Sequence, residues 1–324
     1  MSRRICLVGC GNVGSRHLQA IAKLPFEVEV DIVEPNLESI LLGKKRLNEV
    51  DYNNETHKFF WHKNIEELQD NFELTIIATT VVGRVDLLLN LAERGHRRFL
   101  VEKIVCQSDK EYERLTKKIK EFDVKGWVNT NRRYFESYKK LKEYFKESKN
   151  IHFSVTASNL SALATSSIHF IDLFSYFVDD YNINLNGEFL LNEIFPNKRG
   201  NNFVEFAGTI TGSIKNGSTF SMTSLPATKL PTIINIIGND KHIMINETNE
   251  ELIDLINPEN NNFDYRYENV SGLTNKIIQD ILENDTCDLT TLEDSQFLHK
   301  EIFKIFNSHI KKVTNKEMEF CPIT

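Results

Sequence analysis

The sequence predicts an α/β fold in two parts: a doubly wound parallel sheet at the N-terminus, then an α+β domain built on a mostly antiparallel, open sheet. Three observations carry that prediction. An apolar run near the N-terminus breaks into closely spaced glycines, strand-like and helix-like segments then alternate to Asn129, and from Asn150 strand candidates succeed one another across short turns. A length of 324 residues suits about two domains, expected over 1–127 and 128–324.

Ile5, Cys6, Leu7 and Val8 read as a strand covered on both faces, because such a strand needs no alternation of apolar and polar residues. Gly9, Gly11 and Gly14 follow at G-x-G-x-x-G spacing, and Ser15–Lys23 continues as a helix with Leu18, Ile21 and Leu24 at helical spacing. In a strand–turn–helix unit the first glycine turns the chain, the second admits a diphosphate to the backbone, and the third lets helix and strand pack closely. The diphosphate then rests on unpaired N–H groups around Asn12 and Val13, at the positive end of the helix. The same unit asks for an acidic side chain at the end of the next strand, to bond the adenosine ribose. Val28–Val33 is that strand and Glu34 ends it. A carboxylate there repels a 2′-phosphate, so the sequence favours NAD over NADP.

Leu37–Leu47 reads as a charged helix, Phe59–Trp61 as a short strand, and Ile65, Leu68 and Phe72 as a short helix leading into strand Leu74–Ala78. Thr79 and Thr80 close that strand; Val85–Arg94 is the next helix, with Gly95 as its C-terminal cap. Phe99–Val101 is a further strand ending at Glu102 and Lys103, before helix Asp109–Phe122 and strand Lys125–Asn129. In the second part, strands are expected at Ile151–Ser158, Phe189–Phe195, Phe203–Ile214, Ser218–Leu225, Thr232–Gly238 and Lys241–Asn246. Lys215-Asn216-Gly217 is a hairpin turn that tolerates positive φ. Helices are expected at Ser167–Phe177, with Ser166 or Ser167 as N-cap, and at Asn275–Glu283 and Leu292–Ile310.

A formal net charge of −7 argues against nucleic acid as a partner. The five cysteines (Cys6, Cys10, Cys106, Cys287 and Cys321) are odd in number and scattered, so neither a disulfide framework nor a zinc site is expected. His57, His62 and His152 form no ligand cluster at metal spacing. The first residues run straight into a strand without a signal-peptide block, and no apolar run reaches bilayer length. A cytoplasmic protein without a membrane partner is the expectation.

Gly9-Cys10-Gly11-Asn12-Val13-Gly14-Ser15-Arg16-His17, Val101-Glu102-Lys103, Asn131-Arg132-Arg133 and His169-Phe170-Ile171-Asp172 come in the order and spacing of the Gfo/Idh/MocA oxidoreductases, which the chain resembles over nearly its whole length. Leu289-Thr290-Thr291-Leu292-Glu293-Asp294-Ser295 resembles that family's closing helix. The resemblance implies an NAD(P)-dependent enzyme acting on sugars, inositols or nucleotide-activated sugars. It implies Lys103 beside the nicotinamide, where an ammonium bonds the reacting oxygen and stabilises developing charge, with Glu102 holding it at the cofactor. It further implies His169 in substrate binding or proton transfer, Asp172, Thr165 and Arg133 near the substrate, with a structural clamp the alternative for Arg133, and Thr79, Thr80 and Asn131 along the cofactor. His169 is expected in the first turn of its helix, where the dipole keeps the imidazole neutral.

Two residues depart from the family. Ile104 stands where a proline follows the lysine, so an ordinary trans peptide is expected after Lys103. Thr165 stands where several members carry an aspartate, and a threonine cannot take a proton near neutral pH. The function expected is hydride transfer between nicotinamide and a secondary alcohol or ketone of a sugar, with a nucleotide-sugar of surface-polysaccharide synthesis the favoured class. A non-catalytic dinucleotide-binding regulator or scaffold, and a reductase of a non-sugar carbonyl, are the alternatives. An open sheet face would expose apolar surface, so a homo-oligomer (a dimer or tetramer) is expected.

Overall fold

The structure, a computed structural model, describes residues 2–158, 163–226, 230–259 and 263–324. The chain divides into two compact units, the first comprising Met1–Cys106, Lys110–Asn131 and Glu268–Leu292. Its elements run β1 (Arg3–Val8), α1 (Gly14–Ile21), β2 (Val28–Val33), α2 (Leu37–Leu47), β3 (His57–His62), β4 (Leu74–Ile77), α3 (Arg84–Glu93), β5 (Arg98–Val101), α4 (Asp109–Glu121) and β6 (Lys125–Val128). The six strands pair in parallel in the order β3-β2-β1-β4-β5-β6. Ile5, Leu7, Val30, Ile32, Ile76 and Leu100 are fully buried, as strands covered on both faces require. Strand order reverses between β1 and β4, and such a reversal opens a crevice at the carboxyl ends of those strands. The helix expected over Ile65–Phe72 is a single 3₁₀ turn, Ile65–Glu67. Phe72 instead lies buried beneath the Arg4 guanidinium, 4.7 Å from its ring centre.

The second unit comprises Gln107–Asp109, Arg132–Tyr267 and Glu293–Thr324. It holds α5 (Glu136–Phe145), β7 (His152–Ser158), α6 (Leu163–Val178), β8 (Asn184–Asn186), β9 (Phe195–Pro196), β10 (Val204–Glu205), β11 (Gly208–Ser213), β12 (Thr219–Leu225), β13 (Ile233–Gly238), β14 (Lys241–Asn246) and β15 (Glu251–Asp254). Seven strands form one sheet in the order β15-β14-β13-β7-β12-β11-β8; β7 and β12 run parallel and every other pair is antiparallel. Its inner face sets Phe153 and Phe220 against Phe174 of α6, with ring centres 5.8–6.3 Å apart.

The opposite face differs from expectation. Its centre is hydroxylic rather than apolar: Ser154 and Thr156 of β7 pair with Ser221 and Thr223 of β12, and Thr209 of β11 bonds Thr223 through their hydroxyls at 2.9 Å. Exposed apolar side chains on this face are Ile237 and Ile253 towards β13–β15 and Leu225 at the end of β12. Among the strands expected, Phe189–Phe195 holds only an isolated bridge at Leu190 and the first residue of β9, with the short β8 preceding it, and Phe203–Ile214 divides into β10 and β11. In the hairpin between β11 and β12, Gly217 alone takes positive φ, +89°.

After β15 the chain goes back to the first unit. There α7 (Val270–Asn284) packs on α1, and Thr291 bridges Trp127 while the Val128 N–H bonds the Thr290 carbonyl at 2.9 Å. The expected division at 127/128 therefore becomes one at 131/132, with 268–292 belonging to the first unit. The final helix, α8 (Leu292–Thr314), closes the second unit. Among the described residues no helix is long and apolar enough to cross a membrane.

Candidate functional site

The glycine-rich loop sits at the strand-order reversal, between the carboxyl ends of β1 and β4. Gly9 needs its freedom: φ is +88°, and a Cβ there would lie 2.9 Å from both Ala78 C and Thr79 N. A Cβ on Gly14 would lie 1.9 Å from the Gly9 carbonyl oxygen. Gly11 is different, since its nearest neighbour would be the Ser39 hydroxyl at 4.0 Å. Among the described residues nothing comes nearer to that position, so the fold around it does not demand the glycine. The N–H groups of Gly11, Asn12 and Val13 donate to no described residue, and Val13 supplies no side-chain cap to α1. Open room beside free amides at a helix N-terminus suits a diphosphate. The loop is braced from behind: Ser15 Oγ donates to the Gly11 carbonyl at 2.6 Å, and the Arg46 guanidinium donates to the Asn12 carbonyl at 2.6 Å.

Glu34 is not a solvated loop acid. It is 7% exposed, and its carboxylate accepts the Cys10 N–H at 2.7 Å and the Asn36 N–H at 2.9 Å, one on each oxygen. Each oxygen keeps a lone pair for a further donor such as a ribose hydroxyl. Thr79 follows β4 with a buried hydroxyl that has no hydrogen-bond partner among the described residues, whereas Thr80 is exposed. An orphan hydroxyl beside the glycine loop is a second feature that suits a polar ligand.

Glu102 and Lys103 follow β5, 8% and 6% exposed. The Lys103–Ile104 peptide is cis, not the trans bond expected without proline. Glu102 is the centre of a buried chain of hydrogen bonds: Thr274 Oγ1 of α7 meets His17 Nδ1 at 2.9 Å, His17 Nε2 meets Glu102 Oε1 at 2.9 Å, and the Asn129 amide donates to the same oxygen at 2.5 Å. Burial alone would raise the Glu102 carboxyl. The His17 bond and charge, the Asn129 amide and the nearby Lys103 ammonium outweigh it and hold the group below its ordinary value. Glu102, expected along the cofactor, thus spends its carboxylate on His17 and Asn129 and braces the strand end that carries Lys103. Arg84 completes the brace by donating to the carbonyls of Thr79, Glu102 and Ile104. Arg84, Asn129 and Thr274 carry no motif, and only the fold reveals them. Asn131 is buried, in a 3₁₀ turn just after β6.

In the second unit, α6 begins at Leu163, earlier than expected. Ser166 and Ser167 therefore lie within the helix instead of capping it, and His169 sits in the second turn, beyond the strongest reach of the dipole. The first turn is closed from outside by Glu205 of β10, whose carboxylate accepts the Ala164 N–H and, at 2.9 Å, the Thr165 hydroxyl. Thr165 and His169 are both half-buried and one turn apart, so they share a face.

Asp172 and Arg133 go elsewhere. Arg133 Nε donates to Asp172 Oδ2 at 2.7 Å and Nη2 to Oδ1 at 3.0 Å, with 1% exposure for the acid and 4% for the arginine. Nη2 also reaches the Asp172 carbonyl at 3.1 Å, and Nη1 reaches the Tyr181 hydroxyl at 3.1 Å. The pair expected near a substrate is a buried bidentate clamp between α6 and the 3₁₀ turn. Arg132 is engaged likewise, by Glu247 at 2.9 Å and by stacking 4.3 Å over Phe170. Among the described residues no group of His, Cys, Asp and Glu is arranged to hold a metal ion.

No family model matches the chain, and no curated protein is significantly similar to it in sequence. Solved structures do share its fold. An oxidoreductase from Agrobacterium radiobacter, in complex with NAD+, L-tartaric acid and magnesium, superposes with a TM-score of 0.69 at 17% identity, over 97% of this chain and 97% of that one. The WlbA dehydrogenase from Bordetella pertussis, in complex with NADH and UDP-GlcNAcA, gives 0.66 at 14% identity, over 94% and 96%. A super-repressor mutant of Gal80p from Saccharomyces cerevisiae gives 0.69 at 16% identity, over 96% and 96%. At these identities the likeness is one of fold.

Proposed function

We propose that this chain is a cytoplasmic NAD-dependent oxidoreductase of the Gfo/Idh/MocA type. Its substrate is a secondary alcohol or ketone on a sugar, with a nucleotide-sugar of surface-polysaccharide synthesis the favoured class. One observation carries the reading: Gly11 leaves room that no described residue takes, beside three amides at the start of α1 that donate to no described residue. Support of a second kind comes from neighbours of the same fold that bind NAD+, or NADH with UDP-GlcNAcA.

In this reading the amides of Gly11, Asn12 and Val13 hold the diphosphate, Glu34 takes the ribose hydroxyls, and Thr79, Thr80 and Asn131 line the remainder. Bound nicotinamide supplies the hydride chemistry. Lys103, fixed by the Glu102–His17–Asn129 brace, holds and polarises the substrate oxygen. His169 exchanges a proton with the substrate. Calorimetric titration of NADH and NADPH tests the cofactor, with tighter binding of NADH expected. A panel of sugars and nucleotide-sugars then compares the wild type with Lys103→Ala, which should keep NADH binding and lose turnover. No heat from either nucleotide overturns the reading, and unchanged turnover in the variant removes Lys103 from it.

A regulator or scaffold that binds dinucleotide without turnover is the second reading. It is favoured by the Gal80p neighbour and by Thr165 in place of an aspartate. Tight NADH binding with no turnover on any of the panel would select it. In either case the uncharged hydroxylic face around Ser154, Ser221 and Thr223 is read as the pairing surface of a homo-oligomer.

A further inference from the structure

The carboxyl that closes α6 is oddly placed for a structural cap. Glu205 is fully buried. One oxygen accepts the N–H groups of Ala164 and, at 3.1 Å, Phe206; the other accepts the Thr165 hydroxyl at 2.9 Å. The Asn197 amide reaches Thr165 Oγ1 at 3.3 Å and the second Glu205 oxygen at 3.5 Å. All these partners are neutral. Titratable groups on the helices packed against it are His169, one turn beyond Thr165 on α6, and His309 of α8, whose ring stands edge-on to Phe206 at 5.7 Å.

We infer that Glu205 is the proton acceptor of this helix face, acting through the Thr165 hydroxyl on a substrate hydroxyl bound there. The inference rests on the oxidoreductase reading and revises its proton route, leaving His169 to bind and orient. When an alcohol is oxidised, its C–H bond breaks with the electron pair leaving as hydride to the nicotinamide, and the C–O bond becomes double. The hydroxyl proton passes to the Thr165 oxygen as the Thr165 proton passes to the Glu205 carboxylate. The products are the ketone, an unchanged threonine and a protonated carboxyl, which later yields its proton to water; reduction runs the same path backwards. Threonine alone lacks a usable proton-accepting state near neutrality, and Glu205 supplies one. Burial pushes the Glu205 carboxyl up to about 7, against the pull of the Ala164, Phe206 and Thr165 amides and the Thr165 hydroxyl, so it exchanges protons readily at neutral pH.

Infrared difference spectroscopy on the full chain without nucleotide reads this directly. The wild type should show a protonated-carboxyl C=O band that titrates near neutral pH and is missing in Glu205→Gln. Thr165→Val should move that titration upward by removing a bond to the charged form, and Thr165→Ser should restore it. In turnover, Glu205→Gln should lose the limb of the kcat profile near neutrality and about 10²-fold or more in kcat, with KM changed far less. Absence of the band in the wild type, or a titration unmoved in Thr165→Val, overturns the relay even if Glu205→Gln fails to fold. A band that titrates as described in a chain that binds neither NADH nor NADPH overturns the oxidoreductase reading instead, and the relay with it.

Discussion

Gly11→Ala separates a ligand's demand for glycine from the fold's own. The added methyl meets nothing nearer than the Ser39 hydroxyl at 4.0 Å, and the backbone at Gly11 is not in the left-handed region. The free protein should therefore keep its stability within about 0.5 kcal/mol, or gain as much by stiffening the unfolded chain, a shift of about 1 °C in Tm. Binding should behave otherwise. A methyl between phosphate and amides breaks at least two hydrogen bonds to a charged group, each worth about 1.5–3 kcal/mol, so the loss is about 3–6 kcal/mol or roughly 10²–10⁴-fold in Kd. In a thermal melt, NADH at about 100 times its wild-type Kd adds ~2.7 kcal/mol, or ~4 °C for a chain of this length, and the variant should show almost none of this. Two results refute the reasoning. One is a variant that still gains the full shift with NADH; the other is a free variant that melts many degrees lower, which would mean that the protein itself requires the glycine.

Asp172→Asn leaves the Arg133 guanidinium buried with its charge uncompensated, and should lower stability by about 3 kcal/mol in urea denaturation, whereas replacing both residues by apolar ones should cost less. His96 is buried, with Nδ1 bonded to Thr75 Oγ1 at 2.6 Å, and burial, aided by Arg94, lowers its pKa to about 4. It is neutral in the fold while the unfolded chain takes up a proton near 6.5, so stability should be level above ~6.5 and fall by about 3 kcal/mol as pH drops towards 4. In His96→Asn, pH-dependent melts should show a visibly flatter acid limb. Ser221→Arg puts a charge at the centre of the hydroxylic sheet face, and sedimentation should show the oligomer giving way to monomer with the melting temperature of each subunit little changed.

What the sequence disclosed follows the physics of burial. Strands covered on both faces have little choice of residue, and β2 and β14 fall where continuous or alternating apolar residues put them. Isolated polar strands escape notice: β8 is Asn-Leu-Asn, which carries no strand signal, while the apolar Phe189 and Leu191 that suggested a strand remain 61% and 39% exposed. The start of α6 was hidden for a related reason. A serine preceding a helical run suggests a cap, yet here the closing oxygen comes from Glu205, forty-one residues from Ala164. The glycine loop and Glu34 were legible because their spacing is local. His17 lay in view as part of a motif, but Thr274, which it bonds, and Asn129, which shares Glu102 with it, come from distant parts of the chain, as does the Asp172 that Arg133 clamps.

The route taken by 268–292 has a bearing on biosynthesis. Thr274 and the 290–292 strip are synthesised only after the whole of 132–267, yet they complete the surroundings of His17 and β6. At ~5–20 residues per second, a ribosome exposes the first 131 residues for on the order of ten seconds before that closing segment exists. A piece cut at residue 131 should thus emerge sticky and half-made. Grafting 268–292 back through a short linker is the minimal repair.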